Sequence, residues 1–130
     1  MNKFIIIFGL SLFSLNANAI YLETCVNHSL PNQAVSNSYQ SCTNRNFNTL
    51  AREMTRRGEN VLLENCTNTG DLVQFSYTSC INNNFSSISR VVRLPIYLMM
   101  CTIFDPTRLG YSFNICVRSN NRTLERTLRY

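Results

Sequence analysis

Six cysteines fall in three pairs, and the residues around each pair repeat. Leu22, Leu63 and Leu98 each stand three residues before the first cysteine of a pair. Ser38, Ser76 and Ser112 stand four before the second, each followed by an aromatic: Tyr39, Tyr77, Phe113. Asn46, Asn84 and Asn120 lie four after the second cysteine. Then come Thr49, Ser87 and Thr123, next Leu50, Ile88 and Leu124, and finally Arg52, Arg90 and Arg126. A frame that recurs three times implies one building block used three times, a tighter constraint than any local propensity.

The first 19 residues read as an export signal. Lys3 supplies positive charge, Phe4 to Leu15 is apolar, and Ala17-Asn18-Ala19 is a small-x-small cleavage site. The apolar stretch is too short to span a bilayer, as is the later run from Leu94 to Phe104, which Pro95 interrupts. The expected organisation is a signal peptide over 1–19, then one domain over 20–130 made of units at about 20–60, 61–96 and 97–130. The signal has a bacterial look, so the N-x-S/T sequons at Asn27, Asn65, Asn84 and Asn121 are expected to go unused. The expected location is the periplasm or outside the cell.

An even number of cysteines behind an export signal implies disulfides in an oxidising compartment. Zinc would call for closer cysteine pairs with histidine, and His28 is the only histidine. If each unit is autonomous, it closes its own bond: Cys25–Cys42, Cys66–Cys80 and Cys101–Cys116. Loops of that length contribute roughly 3 kcal/mol each in the chain-entropy account.

Alternation predicts strands. Leu109, Tyr111, Phe113, Ile115 and Val117 alternate with polar or small residues, and Val73, Phe75, Tyr77 and Ile81 make a similar face in unit two. Val35 and Tyr39 are the remnant in unit one. Leu30-Pro31-Asn32, Asn68-Thr69-Gly70-Asp71 and Asp105-Pro106-Thr107 read as hairpin turns. After the second cysteine the period shifts. Leu50 and Met54, Ile88 and Val92, and Leu124 and Leu128 are apolar at i and i+4 with arginine between, which predicts short helices capped by Thr49, Ser87 and Thr123 and ended by Gly58 and Pro95. The expected fold is therefore α+β and β-rich: three tandem disulfide-closed β-hairpin plus short-helix units.

Enzymatic parts are sparse. The acids Glu23, Glu53, Glu59, Glu64, Asp71, Asp105 and Glu125 are scattered, and no nucleophile or phosphate-loop motif is present. The chain reads as a non-catalytic binder with no cofactor and no metal. Beyond Lys3 every basic residue is arginine, eleven against seven acids, a net charge of about +4. Guanidinium forks suit carboxylate, phosphate or sulfate. The charge is too modest for nucleic acid. Candidate ligand residues are Arg52, Arg90 and Arg126, three equivalent cations suited to an acidic polymer by avidity. Asn46, Asn84 and Asn120 are the others, with Asn44, Asn82, Asn83 and Asn121 near them, since carboxamides suit sugar hydroxyls or peptide backbone. The plainer alternative is that the arginines only solvate a helix face and the asparagines only shape turns and caps. The expected partner is a glycan or an anionic surface polymer. The alternative is a protein partner, as for an inhibitor of a secreted enzyme or a host-directed factor.

The segments Y-L-E-T-C-V-N…S-Y-Q-S-C and L-L-E-N-C-T-N…S-Y-T-S-C resemble the disulfide-closed hairpin of the cyanovirin-N lectin family, and S-S-I-S-R-V-V-R-L resembles its S-x-I-x-L segment. The resemblance implies an all-β alternative to the fold above, with mannose-type carbohydrate binding. The chain differs from that family in having three units rather than two, and it has no tryptophan.

Overall fold

The computed structural model of the chain describes residues 20–129. The leader expected over 1–19 lies outside the described residues. Three helices carry the architecture: α1 (Asn37–Arg56), α2 (Phe75–Val91) and α3 (Tyr111–Thr127). Each follows an extended strap, at about 20–26, 61–67 and 97–103, and a short loop. Among the described residues the only β pairing is one isolated bridge, Leu30 with Gln33. No helix among them is long and apolar enough to cross a membrane.

The fold is thus helical, not β-rich, and neither the hairpin architecture nor the all-β alternative holds. The alternation that suggested strands was half of a period of four. Val35 and Tyr39 are buried, as are Val73, Tyr77 and Ile81, and Leu109, Phe113 and Val117; each set steps by four. The intervening Phe75 and Tyr111 are exposed instead of lining a sheet face. Val35, Val73 and Leu109 stand just before the helix N-caps, while Tyr39, Tyr77, Ile81, Phe113 and Val117 lie within the helices, where spacing of four returns a side chain to the same face. Each helix continues through the stretch that the sequence divided off as a separate short helix. Thr49, Ser87 and Thr123 therefore lie inside helices. The N-caps are Ser36, whose side chain accepts the Tyr39 N–H, Gln74 and Gly110. Gly58 does end α1. It sits at φ 83°, its N–H donates to Thr55 O and the Glu59 N–H to Met54 O, the left-handed C-terminal closure that glycine permits.

Disulfides join each strap to the helix that follows it: Cys25–Cys42, Cys66–Cys80 and Cys101–Cys116, with Cα atoms 5.5–5.7 Å apart. The core lies among the three helices and is filled from equivalent positions. Tyr39, Tyr77 and Phe113 are fully buried, and Leu50, Ile88 and Leu124 form a second layer. Phe47 meets Phe85 edge-to-face at 5.1 Å, a favoured aromatic geometry.

The straps have no sheet partner, so side-chain amides supply one. The Glu23 N–H donates to Asn46 Oδ1 at 2.8 Å, and Asn46 Nδ2 returns a bond to Glu23 O at 2.9 Å. Asn84 clamps Glu64 the same way, at 2.8 Å in both directions. Asn120 clamps Met99 at 2.7 and 2.8 Å. A second set reaches the next strap. Asn44 clamps Cys66 at 2.9 Å both ways, and Asn82 clamps Cys101 at 2.8 Å both ways. Gln40 does the same for Asn68. Strap two therefore lies between α1 and α2, and strap three between α2 and α3. Strap one lies between α1 and α3, because the Leu22 N–H donates to Glu125 Oε1 at 2.9 Å. Helices and straps alternate around a closed ring.

Replacing Asn84 with leucine keeps the number and branching of the side-chain heavy atoms and removes both partners of Glu64. Unsatisfied N–H and C=O groups cost about 1–3 kcal/mol each when buried. With Glu64 only partly shielded, we expect Asn84→Leu to lower stability by about 2–4 kcal/mol. Exposed Asn83→Ala should stay within about 0.5 kcal/mol. Urea unfolding with the disulfides intact measures both. Equal losses would mean that the clamp contributes nothing.

Candidate functional site

The asparagines expected to meet a ligand are spent on the fold. Asn46, Asn84 and Asn120 are 3, 2 and 1 % exposed, and both ends of each carboxamide bond a strap backbone. They stand on helices, not in loops. Asn44 and Asn82 are likewise engaged, Asn121 is buried, and only Asn83 of the group is exposed.

The arginines are placed differently. Arg52, Arg90 and Arg126 are exposed, at matching positions near the C-terminal ends of α1, α2 and α3. Arg52 Nη2 donates to Thr49 Oγ1 at 3.4 Å, and Arg90 donates to Ser86 O at 3.4 Å and Oγ at 3.5 Å. Among the described residues none of the three pairs with a carboxylate. Five of the seven acids pair with other arginines: Glu23 with Arg45, Glu53 with Arg56 and Arg57, Glu59 with Arg93, Asp105 with Arg108, and Glu125 with Arg122. Glu53 is buried, and its hydrogen bond from Arg56 holds its carboxyl below the ordinary range.

Exposed helix positions show a clear bias. On α1 they include Arg45, Arg52 and Arg56, on α2 Arg90, and on α3 Arg122 and Arg126, with serine, asparagine and threonine between them. None of the exposed positions on any of the three helices is acidic. The exposed carboxylates Glu23, Glu64, Asp71 and Asp105 lie on straps and loops. The bundle thus presents helix faces whose exposed charges are all cationic, with the exposed acids on straps one and two and on two loops. A cationic helix end also suits the partial negative charge of the helix C-terminus. His28 is exposed in the first loop. No cluster of His, Cys, Asp and Glu able to hold a metal occurs among the described residues.

One seam of the ring differs from the others. Two residues after the second cysteine, where α1 has Asn44 and α2 has Asn82, α3 has Arg118. Among the described residues Arg118 Nε finds no partner, and neither do Asn114 Oδ1 and Asn121 Oδ1 beside it. These residues and Tyr39 line a cavity of about 10 Å³ against strap one. Among the described residues the hydroxyls of Tyr39, Tyr77 and Thr43 make no well-aligned hydrogen bond, although Thr43 lies close to both phenols. Burial pushes both phenols well above the usual tyrosine range. Among the described residues no carboxamide accepts the Cys25 N–H, whose counterparts in Cys66 and Cys101 donate to Asn44 and Asn82. Glu125 and Arg122 hold this strap instead, through Leu22 N–H and Thr24 Oγ1. The sequence signal for this seam was the arginine in an asparagine's place.

Arg118→Asn should restore the missing clamp on Cys25. We expect a gain of about 1 kcal/mol, or about 4 °C in thermal midpoint for a domain of this size, and slower exchange of the Cys25 amide. A fall in midpoint would show that Arg118 is needed where it stands.

No protein-family model, no curated protein and no solved structure matches the chain.

Proposed function

We propose that the chain is an exported, non-catalytic, lectin-like binding protein whose ligand is an acidic surface polymer. The observation that carries this reading is the acid-free, arginine-bearing exposed face of each helix, with Arg52, Arg90 and Arg126 at equivalent places and without carboxylate partners among the described residues. Three guanidinium groups on one rigid ring bind weakly one by one and tightly together when the ligand repeats its charge. Three disulfides fit an oxidising compartment, the periplasm or the cell exterior. The asparagines have a different part in this reading: they fix the ring that spaces the arginines.

A protein partner is the second reading. It is favoured by exposed apolar side chains at the N-terminal ends of α2 and α3, Phe75 and Tyr111, and by exposed Phe104 in the third loop. Large exposed apolar groups mark interaction surfaces when they cluster.

Retention on an acidic polysaccharide, measured as salt is raised, separates the readings. Each single change, Arg52→Ala, Arg90→Ala or Arg126→Ala, should weaken retention about 2–3-fold, and the triple change more than 10-fold with a shallower salt dependence. The thermal midpoint should hold, since these positions are solvated. Unchanged retention in the triple variant, or no retention of the parent chain by any charged glycan, would shift the assignment to a protein ligand.

A further inference from the structure

A second set of equivalent positions stands out on the straps. Four residues before the first cysteine of each pair come Tyr21, Leu62 and Tyr97. They are 84, 91 and 82 % exposed. Their neighbours Leu22, Leu63 and Leu98 pack on the core. Each strap thus turns one large apolar side chain inward and the adjacent one into water. One exposed apolar residue is ordinary, but three at the same place in three straps call for a shared cause. The fold does not supply it, because these side chains bury little against the ring.

The clamps fix where these residues stand. Glu23 is level with Asn46, and Cys25 with Cys42, so strap and helix run antiparallel. Two strap residues span about 6.6 Å and four helix residues about 6.0 Å. One step beyond Glu23 and Asn46 puts Tyr21 level with Leu50, two residues from Arg52. The same step from Glu64 and Asn84 puts Leu62 level with Ile88, beside Arg90. From Met99 and Asn120 it puts Tyr97 level with Leu124, beside Arg126. Because each strap lies between two helices, each apolar side chain has an arginine-bearing helix on either side. By this register the exposed Tyr21, Leu62 and Tyr97 and the exposed Arg52, Arg90 and Arg126 fall at the same end of the bundle, towards the helix C-termini.

We propose that Tyr21, Leu62 and Tyr97 mark three sugar-ring subsites at equivalent places in the straps, which, with Arg52, Arg90 and Arg126, make the ligand an acidic polysaccharide. This rests on the arginine reading above and adds the residues that tell a sugar chain from any other polyanion. A pyranose ring offers a C–H face to an aromatic plane and hydroxyls to its polar tip, and tyrosine presents both. The uronate or sulfate of the same ring reaches the adjacent guanidinium, whose planar fork matches it. Charge complementarity selects the acid-bearing chain over a neutral one. Leu62 offers packing without a ring plane, so the three subsites are unequal.

That inequality supplies the test. Binding of the intact chain to polygalacturonate and to dextran sulfate, with neutral dextran as control, is measured over a range of salt. Leu62→Tyr should tighten binding about 3–10-fold, a gain that misfolding cannot imitate. Tyr21→Ser with Tyr97→Ser should weaken it about 10-fold at every salt concentration with the salt slope unchanged, because no charge is lost. If these variants bind as the parent does while the arginine triple variant is weakened, the sugar subsites are wrong and the arginine reading stands. If the parent binds neither acidic polysaccharide, both fall. Binding to anionic phospholipid vesicles in place of the polysaccharides would also overturn the proposal, in favour of a lipid surface.

Discussion

An extended segment with no neighbouring strand must still find partners for its backbone N–H and C=O groups. In this ring the partner is a carboxamide. The asparagine carboxamide sets a carbonyl acceptor beside an NH2 donor group, much as a peptide group pairs C=O with N–H, so Asn46, Asn84 and Asn120 each meet both polar groups of one strap residue as a second strand would. Asn44 and Asn82 repeat the device across to the next strap. The disulfide two residues along fixes the strap at the same level. Covalent bond and amide clamp together hold a strap against a helix without any sheet, in a chain whose core alone is modest.

Ring closure follows from the same device and is least regular where the first and last units meet. There Arg118 replaces the asparagine, and the strap is held by Glu125 and Arg122. Among the described residues, Asn114 Oδ1, Arg118 Nε and Asn121 Oδ1 have no partner around the small cavity. At the other seams the same helix positions bear Gln40, Asn44 and Asn82, whose amides reach a backbone, Thr78, whose hydroxyl donates to Phe75 O, and Phe47 and Phe85, which pack together. A half-satisfied polar set costs stability, so the closing seam is the weakest of the three. Arg57 reaches Leu128 O across the end of the bundle and helps tie α1 to α3 there.

The cysteine frame was legible in the sequence because equivalent residues serve equivalent tasks in each unit. The helical character of the second half of each unit was legible too, since Leu50 and Met54 share a face with nothing to imitate a strand. The first half was not. Tyr111, Phe113 and Ile115 alternate with polar residues, yet only Phe113 of the three is buried, and Val73, Tyr77 and Ile81 satisfy a spacing of four as well as an alternation that includes Phe75. Periodicity over so few residues does not choose between the two, and exposed aromatics at helix starts tip it the wrong way. The asparagines stood out for a sound reason, their recurrence. The partner they recur for is the chain's own backbone, which no residue pattern displays before the straps are placed.

The division of labour between buried amides and exposed arginines depends on the clamps holding the straps in register. Native-state amide exchange reads this residue by residue. The N–H groups of Glu23, Glu64 and Met99 donate to the clamping carboxamides, while among the described residues the N–H groups of Thr24, Asn65 and Met100 beside them have no such partner. The account predicts strong protection at the first three, approaching that of the helix interiors, and little at the second three. Exchange of Glu64 and Met99 as fast as that of Asn65 and Met100 would contradict it, and the straps would then be held by the disulfides alone.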